Sequence, residues 1–114
     1  MSPRAWQERV QDILVCAKNI QSFTKGMSYD AFLDDPRTIR AVAFEFTTIG
    51  EAARVIPVDV QAKFPEVPWG KMHGIRNVLV HEYFRLDEEI LWRASFEDIP
   101  PLIEALEKIL NSDQ

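Results

Sequence analysis

Asp35-Pro36-Arg37-Thr38-Ile39-Arg40-Ala41-Val42-Ala43-Phe44-Glu45-Phe46-Thr47-Thr48-Ile49-Gly50-Glu51-Ala52-Ala53-Arg54-Val55-Ile56-Pro57 is the stretch on which the fold turns. Asp35-Pro36 is a helix start: a carboxylate that can accept a free backbone N–H, followed by a proline whose missing N–H costs nothing in a first turn. Ile39, Val42, Phe46, Ile49, Ala53 and Ile56 then recur at alternating steps of three and four, which places them on one helical face until Pro57 ends the run. That alternation is the seam of coiled-coil-like bundle packing. Gly50 interrupts it with no side chain, so a neighbouring backbone or side-chain stem is expected in close contact there.

Upstream, Ser2-Pro3 repeats the start signal, and Trp6, Val10, Ile13, Leu14, Ala17, Ile20 and Phe23 share one face up to the stop at Lys25-Gly26. Ser28 to Leu33 reads as a short helical turn. Downstream, Val58 to Phe64 is a second short piece between Pro57 and Pro65, and a third long helix is expected from about Trp69 to Tyr83. Asp87 caps a last helical region carrying Ile90, Leu91 and Ala94, with a break expected at Pro100-Pro101 before Leu102, Ala105, Leu106, Ile109 and Leu110 resume the period. All seven prolines fall at helix starts or breaks, and no stretch alternates with the period of two that marks a half-buried strand. The expectation is an all-α, up-and-down bundle of four to five helices, with residues 1–114 forming one domain.

The chain has 114 residues, 46% hydrophobic and 27% charged, the usage of one soluble domain with a single core. No apolar run approaches the ~18 residues that cross a bilayer, and the N-terminus lacks the apolar stretch of a secretory signal, so no membrane association and a cytoplasmic location are expected. The single Cys16 supplies neither a disulfide framework nor a thiolate cluster and reads as a small buried hydrophobe. A net charge of −5 excludes a protein that coats nucleic acid through a broad basic surface. Between Lys63 and Arg85, however, Lys63, Lys71, Arg76 and Arg85 face only Glu66 and Glu82, so that stretch is +2 and the remainder −7. A local anion site on an acidic body is expected.

The functional side chains concentrate in Trp69-Gly70-Lys71-Met72-His73-Gly74-Ile75-Arg76-Asn77-Val78-Leu79-Val80-His81-Glu82-Tyr83, which holds both histidines of the chain. Arg76, Asn77, His81 and Tyr83 spell R-N-x-x-x-H-x-Y. This resembles the R-x4-H signature of HEPN domains, with the polar residue that follows the arginine, and more specifically the R-x4-H-x-Y of HepT-like toxins. Ile49-Gly50-Glu51-Ala52-Ala53 and Pro65-Glu66-Val67-Pro68-Trp69 extend the resemblance upstream, so that it covers nearly the whole chain from Ile39 onward. The resemblance implies a HEPN-like helical domain and an endoribonuclease toxin with Arg76 and His81 as catalytic residues. It also implies a two-fold homodimer bringing two motifs together, and a nucleotidyltransferase antitoxin that adenylylates Tyr83 and silences the nuclease.

The chemistry of the residue types agrees. An arginine fork binds phosphate bidentately and stays charged, and histidine exchanges a proton near neutral pH. In RNA, of the tRNA or mRNA class alike, the neighbouring 2′-hydroxyl is the nucleophile, so a histidine acid/base and a charge-stabilising arginine need no metal or other cofactor. DNA lacks that nucleophile. No H-x3-H or H-E-x-x-H spacing supports a metal ligand pair. On a regular helix Arg76 and His81 point about 140° apart, whereas Asn77 and His81 share a face, so one helix alone makes a loose site, and either the helix end is distorted near His81 or a second subunit completes the cleft. Asn77 reads as a supporting residue that orients His81 or contacts phosphate, with a solvent-exposed amide as its plainer reading. Gly74 is a second place where a neighbouring backbone could come close.

Each residue also has a plainer reading: Arg76 as a surface ion pair, His81 as a helix-end cation favoured by the macrodipole, Tyr83 as a packing residue, Trp69 as core. His73 reads equally as a partly buried structural residue and is left out of the catalytic set. Glu45 and Glu51 read as a solvated face that could instead hold Arg40, Arg54 or an active-site group. The competing function is a catalytically inactive HEPN module that binds nucleotide or protein and regulates a partner. Arg76, Asn77 and His81 together favour the nuclease, because a binding module has no need of a proton-transfer residue.

Overall fold

The computed structural model describes residues 5–81 and 87–112. Among them it shows seven helices and no strand: α1 (Ala5–Thr24), α2 (Tyr29–Leu33), α3 (Pro36–Arg54), α4 (Val58–Lys63), α5 (Trp69–His81), α6 (Glu88–Glu97) and α7 (Ile99–Ser112). Five are long and two are the short pieces expected from the sequence. The chain is an all-α bundle in which α3 is the middle helix, packed against α1 on one side and α5 on the other, while α7 packs on α1 and α6.

Three start signals operate as their chemistry dictates, and the Ser2-Pro3 signal lies outside the described residues. Ser28, Asp35 and Asp87 cap α2, α3 and α6 by accepting the N–H of Ala31, Thr38 and Ile90 at 3.1, 3.2 and 3.1 Å. Asp35 also takes the Thr38 hydroxyl at 2.7 Å, and these two bonds hold its carboxyl below the usual carboxylate range. Pro100 and Pro101 do not break a helix. The break lies one step earlier at Asp98, the C-cap of α6, and both prolines sit in the first turn of α7, where no intrahelical N–H is needed.

The seam read from α3 is the core: Ile39, Val42, Phe46, Ile49, Ala53 and Ile56 are all buried. From α1 come Val10, Ile13, Leu14, Ala17 and Ile20, and from α7 Ile99, Leu102, Ile103, Leu106 and Ile109. Trp69 is buried, as expected of a core residue, with its indole N–H on the Phe64 carbonyl at 3.0 Å. Two residues placed on apolar faces by their period stand out in solvent instead. Phe23 is displaced by Thr24, which continues the seam four residues after Ile20 and satisfies its buried hydroxyl on the Ile20 carbonyl at 2.8 Å. Ile90 is half exposed beside the buried Leu91. Cys16 is buried against α3; burial and the nearby Glu45 carboxylate push its thiol up to about 12, so it stays a neutral apolar group.

Because Leu106 has no exposed surface and comes from the helix that closes the bundle over α1, Leu106→Ala leaves a cavity that the neighbours cannot fully collapse. The expected loss is about 2–5 kcal/mol in urea unfolding, with an unchanged helical spectrum before the transition.

Candidate active site

Arg76 lies on the face of α5 that meets α3, and the contact is made where α3 has no side chain. A Cβ placed on Gly50 would overlap the Cβ of Arg76 and come within 2.8 Å of the Met72 carbonyl oxygen and 2.9 Å of the Arg76 Cγ. The close approach expected at Gly50 is therefore made by the stem of the motif arginine. At Gly74 the expectation fails within the described chain: a Cβ there would meet nothing within 4 Å.

Beyond its stem, Arg76 runs along α3 to the next residue. Its Nη2 forms an ion pair with Oε1 of Glu51, and its Nη1 donates to Oδ1 of Asn77 at 2.9 Å. The other oxygen of Glu51 takes Nη2 of Arg54 at 3.4 Å. One carboxylate thus sits between two guanidiniums, an assembly of net charge +1. The Arg76 side chain is 24% exposed and that of Glu51 40%, so the pair lies at the protein surface, where a second anion can reach the guanidinium. Arg76 Nε is turned inward with no acceptor among the described residues. One hydrogen on each terminal nitrogen remains for a ligand.

Asn77 is half-buried on the next face of α5, and His73, also half-buried, precedes it by one turn. Position 81 continues the same row, since 73, 77 and 81 are separated by four residues each. The backbone is α-helical through His81, so positions 76 and 81 stand about 140° apart around the axis. The His81 side chain and the whole of Tyr83 lie outside the described residues.

Glu51 is the residue that the spacing of the motif could not reveal. The sequence leaves Glu51 between a solvated face and a holder of Arg40, Arg54 or an active-site group, and the structure gives it Arg54 and the motif arginine, which is far away in the chain. The available signal was its position next to Gly50, because a helix that must come close at residue 50 brings its side chains to residue 51. Glu45, by contrast, takes the Asn19 amide at 3.5 Å, on the α1 side of α3.

Arg85 and Glu82 of the basic stretch lie outside the described residues; among the described ones, Lys71 is bound to Asp98 at 2.7 Å and Arg76 to Glu51, so the two cations have separate acidic partners. Two surface depressions flank the region. One of about 470 Å³ between α1 and α3 has Arg9, Asp12, Thr48 and Glu51 on its walls. The other, about 420 Å³ and mainly apolar, lies between α5 and α6 along Ile75, Val78, Leu79 and Ile90. No group of three or more metal-ligating side chains occurs among the described residues, and no described helix is long and apolar enough to cross a membrane.

Similar proteins show the family of the chain. The family model described as Ribonuclease HepT-like matches residues 13–109. A Methanocaldococcus jannaschii protein provisionally named an RNase is 39% identical over 107 residues, covering 94% of this chain and 98% of its own. The protein named Probable ribonuclease HepT in Thermococcus cleftensis is 37% identical over 106 residues, covering 93% and 96%. A further protein provisionally named an RNase, from Caldanaerobacter subterraneus, is 34% identical over 90 residues, covering 79% and 80%. No solved structure matches the chain. With the family model spanning most of the bundle and these relatives aligned over nearly their whole length, the chain belongs to the HepT-like ribonuclease family.

Proposed function

We propose that the protein is a metal-independent endoribonuclease toxin that cleaves RNA at a site built from Arg76 and His81, with Asn77 in support. The observation that carries this reading is the held arginine: in a chain of this family, the motif guanidinium is presented at the surface with donors to spare. A phosphodiester bound there has its charge stabilised by Arg76 as negative charge builds on the phosphoryl oxygens. The adjacent 2′-hydroxyl loses its proton to a base and attacks phosphorus. The bond to the 5′-oxygen breaks and that oxygen takes up a proton, leaving a 2′,3′-cyclic phosphate and a 5′-hydroxyl. His81 is assigned one of the two proton transfers. Cellular RNA as substrate implies a cytoplasmic location.

Replacing Arg76 or His81 by Ala is expected to reduce cleavage by about a hundredfold or more. Neither change should unfold the chain: Arg76→Ala leaves Glu51 with Arg54 and with access to water. The measurement is cleavage of a labelled RNA in EDTA with end-group analysis. Full activity in His81→Ala, or loss of wild-type activity in chelator, rejects the mechanism; nucleotide binding without any cleavage would instead favour a regulatory module.

A step of five residues on one α-helix separates the two motif positions widely, so we assign the complete site to a homodimer whose motifs share a cleft near the two-fold axis. Light scattering should then give twice the 13.2 kDa chain mass under assay conditions. A fully active monomer would rule this out.

Control is assigned to Tyr83. Seven residues after Arg76, it is nearly in line with it along a regular helix, so an AMP group attached to its phenol by a partner nucleotidyltransferase antitoxin could occupy the phosphate site. Tyr83→Phe should keep most of the cleavage and escape silencing when mixed with the cognate nucleotidyltransferase and ATP. Absence of an AMP mass increment on the wild type, or equal silencing of Tyr83→Phe, would return Tyr83 to a packing role.

A further inference from the structure

From the α3–α5 contact we infer that Gly50 and Glu51 are the positioning pair of the site: they preset the Arg76 guanidinium for phosphate, and Glu51 is a positioning residue. The inference rests on the phosphate-binding role proposed above for Arg76.

A free arginine side chain has four rotatable bonds and points in many directions. Here it is held at three successive points. Its Cβ and Cγ lie against the bare backbone of Gly50, Nη2 is paired with Glu51 Oε1, and Nη1 is bonded to Asn77 Oδ1. The restraints come from two helices: Gly50 and Glu51 are consecutive on α3, and Asn77 follows Arg76 on α5. Gly50 sets how close the two helices come, and that distance sets whether Glu51 reaches the guanidinium.

The ion pair is partly buried, with the Arg76 side chain 24% exposed and Glu51 Oε1 enclosed, and a carboxylate beside the arginine weakens its attraction for phosphate. Two effects of Glu51 on catalysis therefore oppose each other. Its charge disfavours RNA binding, whereas its ion pair with Nη2 restrains where the guanidinium lies. Orientation is the larger effect for the chemical step, because a displacement of about 1 Å in a charge-stabilising group costs on the order of a hundredfold in rate. Arg54 on the other oxygen holds the Glu51 carboxylate in turn and partly offsets its charge.

These opposed effects give a signature that a merely structural residue would not produce. Glu51→Ala should lower kcat by about ten- to a hundredfold while KM for RNA stays level or falls, since a repulsive charge has gone. Glu51→Gln should recover much of the lost kcat, because its amide oxygen takes the place of Oε1 beside Nη2. Gly50→Ala should lower kcat in the same way; should it fail to fold, the Glu51 pair of variants carries the test. The second readout is the guanidinium NMR spectrum of the intact protein, with Arg76 assigned by the signal missing in Arg76→Lys. Separate, slowly exchanging Nη signals in the wild type and Glu51→Gln, averaged in Glu51→Ala, are expected. Averaged Nη signals in the wild type, or a kcat unchanged or raised in Glu51→Ala, would overturn the positioning role. If the wild type cuts no RNA, the proposed function fails, and the NMR comparison alone decides whether Glu51 orients Arg76.

Discussion

The contact of α5 with the backbone of α3 at Gly50 is the constraint on which the rest of the site depends. Glycine in the middle of a helix costs about 1 kcal/mol relative to alanine, and α3 carries that cost at its most central packing position. What offsets it is close approach: the stem of Arg76 and the carbonyl of Met72 occupy space that any Cβ would need. The buried Met72 and Leu79 of α5, with the partly buried Ile75, complete the seat of that helix on the core. The motif arginine is thus part of the packing between two helices, which is why it can be held while still partly exposed.

Helix α3 has two duties that its periodicity separates. Its seam, Ile39 to Ile56, is wholly apolar and buried, and supplies the middle layer of the bundle. Its polar residues beside the seam face different neighbours at different heights. Glu45 meets Asn19 and the Cys16 thiol of α1, and Glu51 meets Arg76 of α5. The two glutamates have the same chemistry but stand about 120° apart around the helix. Their roles differ because α1 and α5 lie on opposite sides of α3.

The same geometry gives an acidic chain a local excess of positive charge. A net charge of −5 spread over the surface would repel RNA at long range. Lys71 and Arg76 lie on one helix, yet their ion pairs fall on different sides of it, with Asp98 and Glu51. The local excess of positive charge comes from Arg54 and Arg76 around a single carboxylate, a cluster assembled from two helices.

The sequence by itself determined what depends on local rules. Helical period marked the buried faces, Ser28, Asp35 and Asp87 marked helix starts through capping bonds, Gly50 announced a close approach, and R-N-x-x-x-H-x-Y pointed to the family now shown by the relatives. Some local readings were overridden by a neighbour. Thr24 took the inward place from Phe23 because its hydroxyl could be satisfied on the preceding turn, and the two prolines read as a break proved to be the first turn of α7. Only the tertiary structure decided which residue stands at Gly50 and which carboxylate receives Arg76. Periodicity fixes the direction in which a side chain leaves its own helix, but what it meets depends on the spacing and rotation of the helix opposite, and these are set by the packing of the whole core.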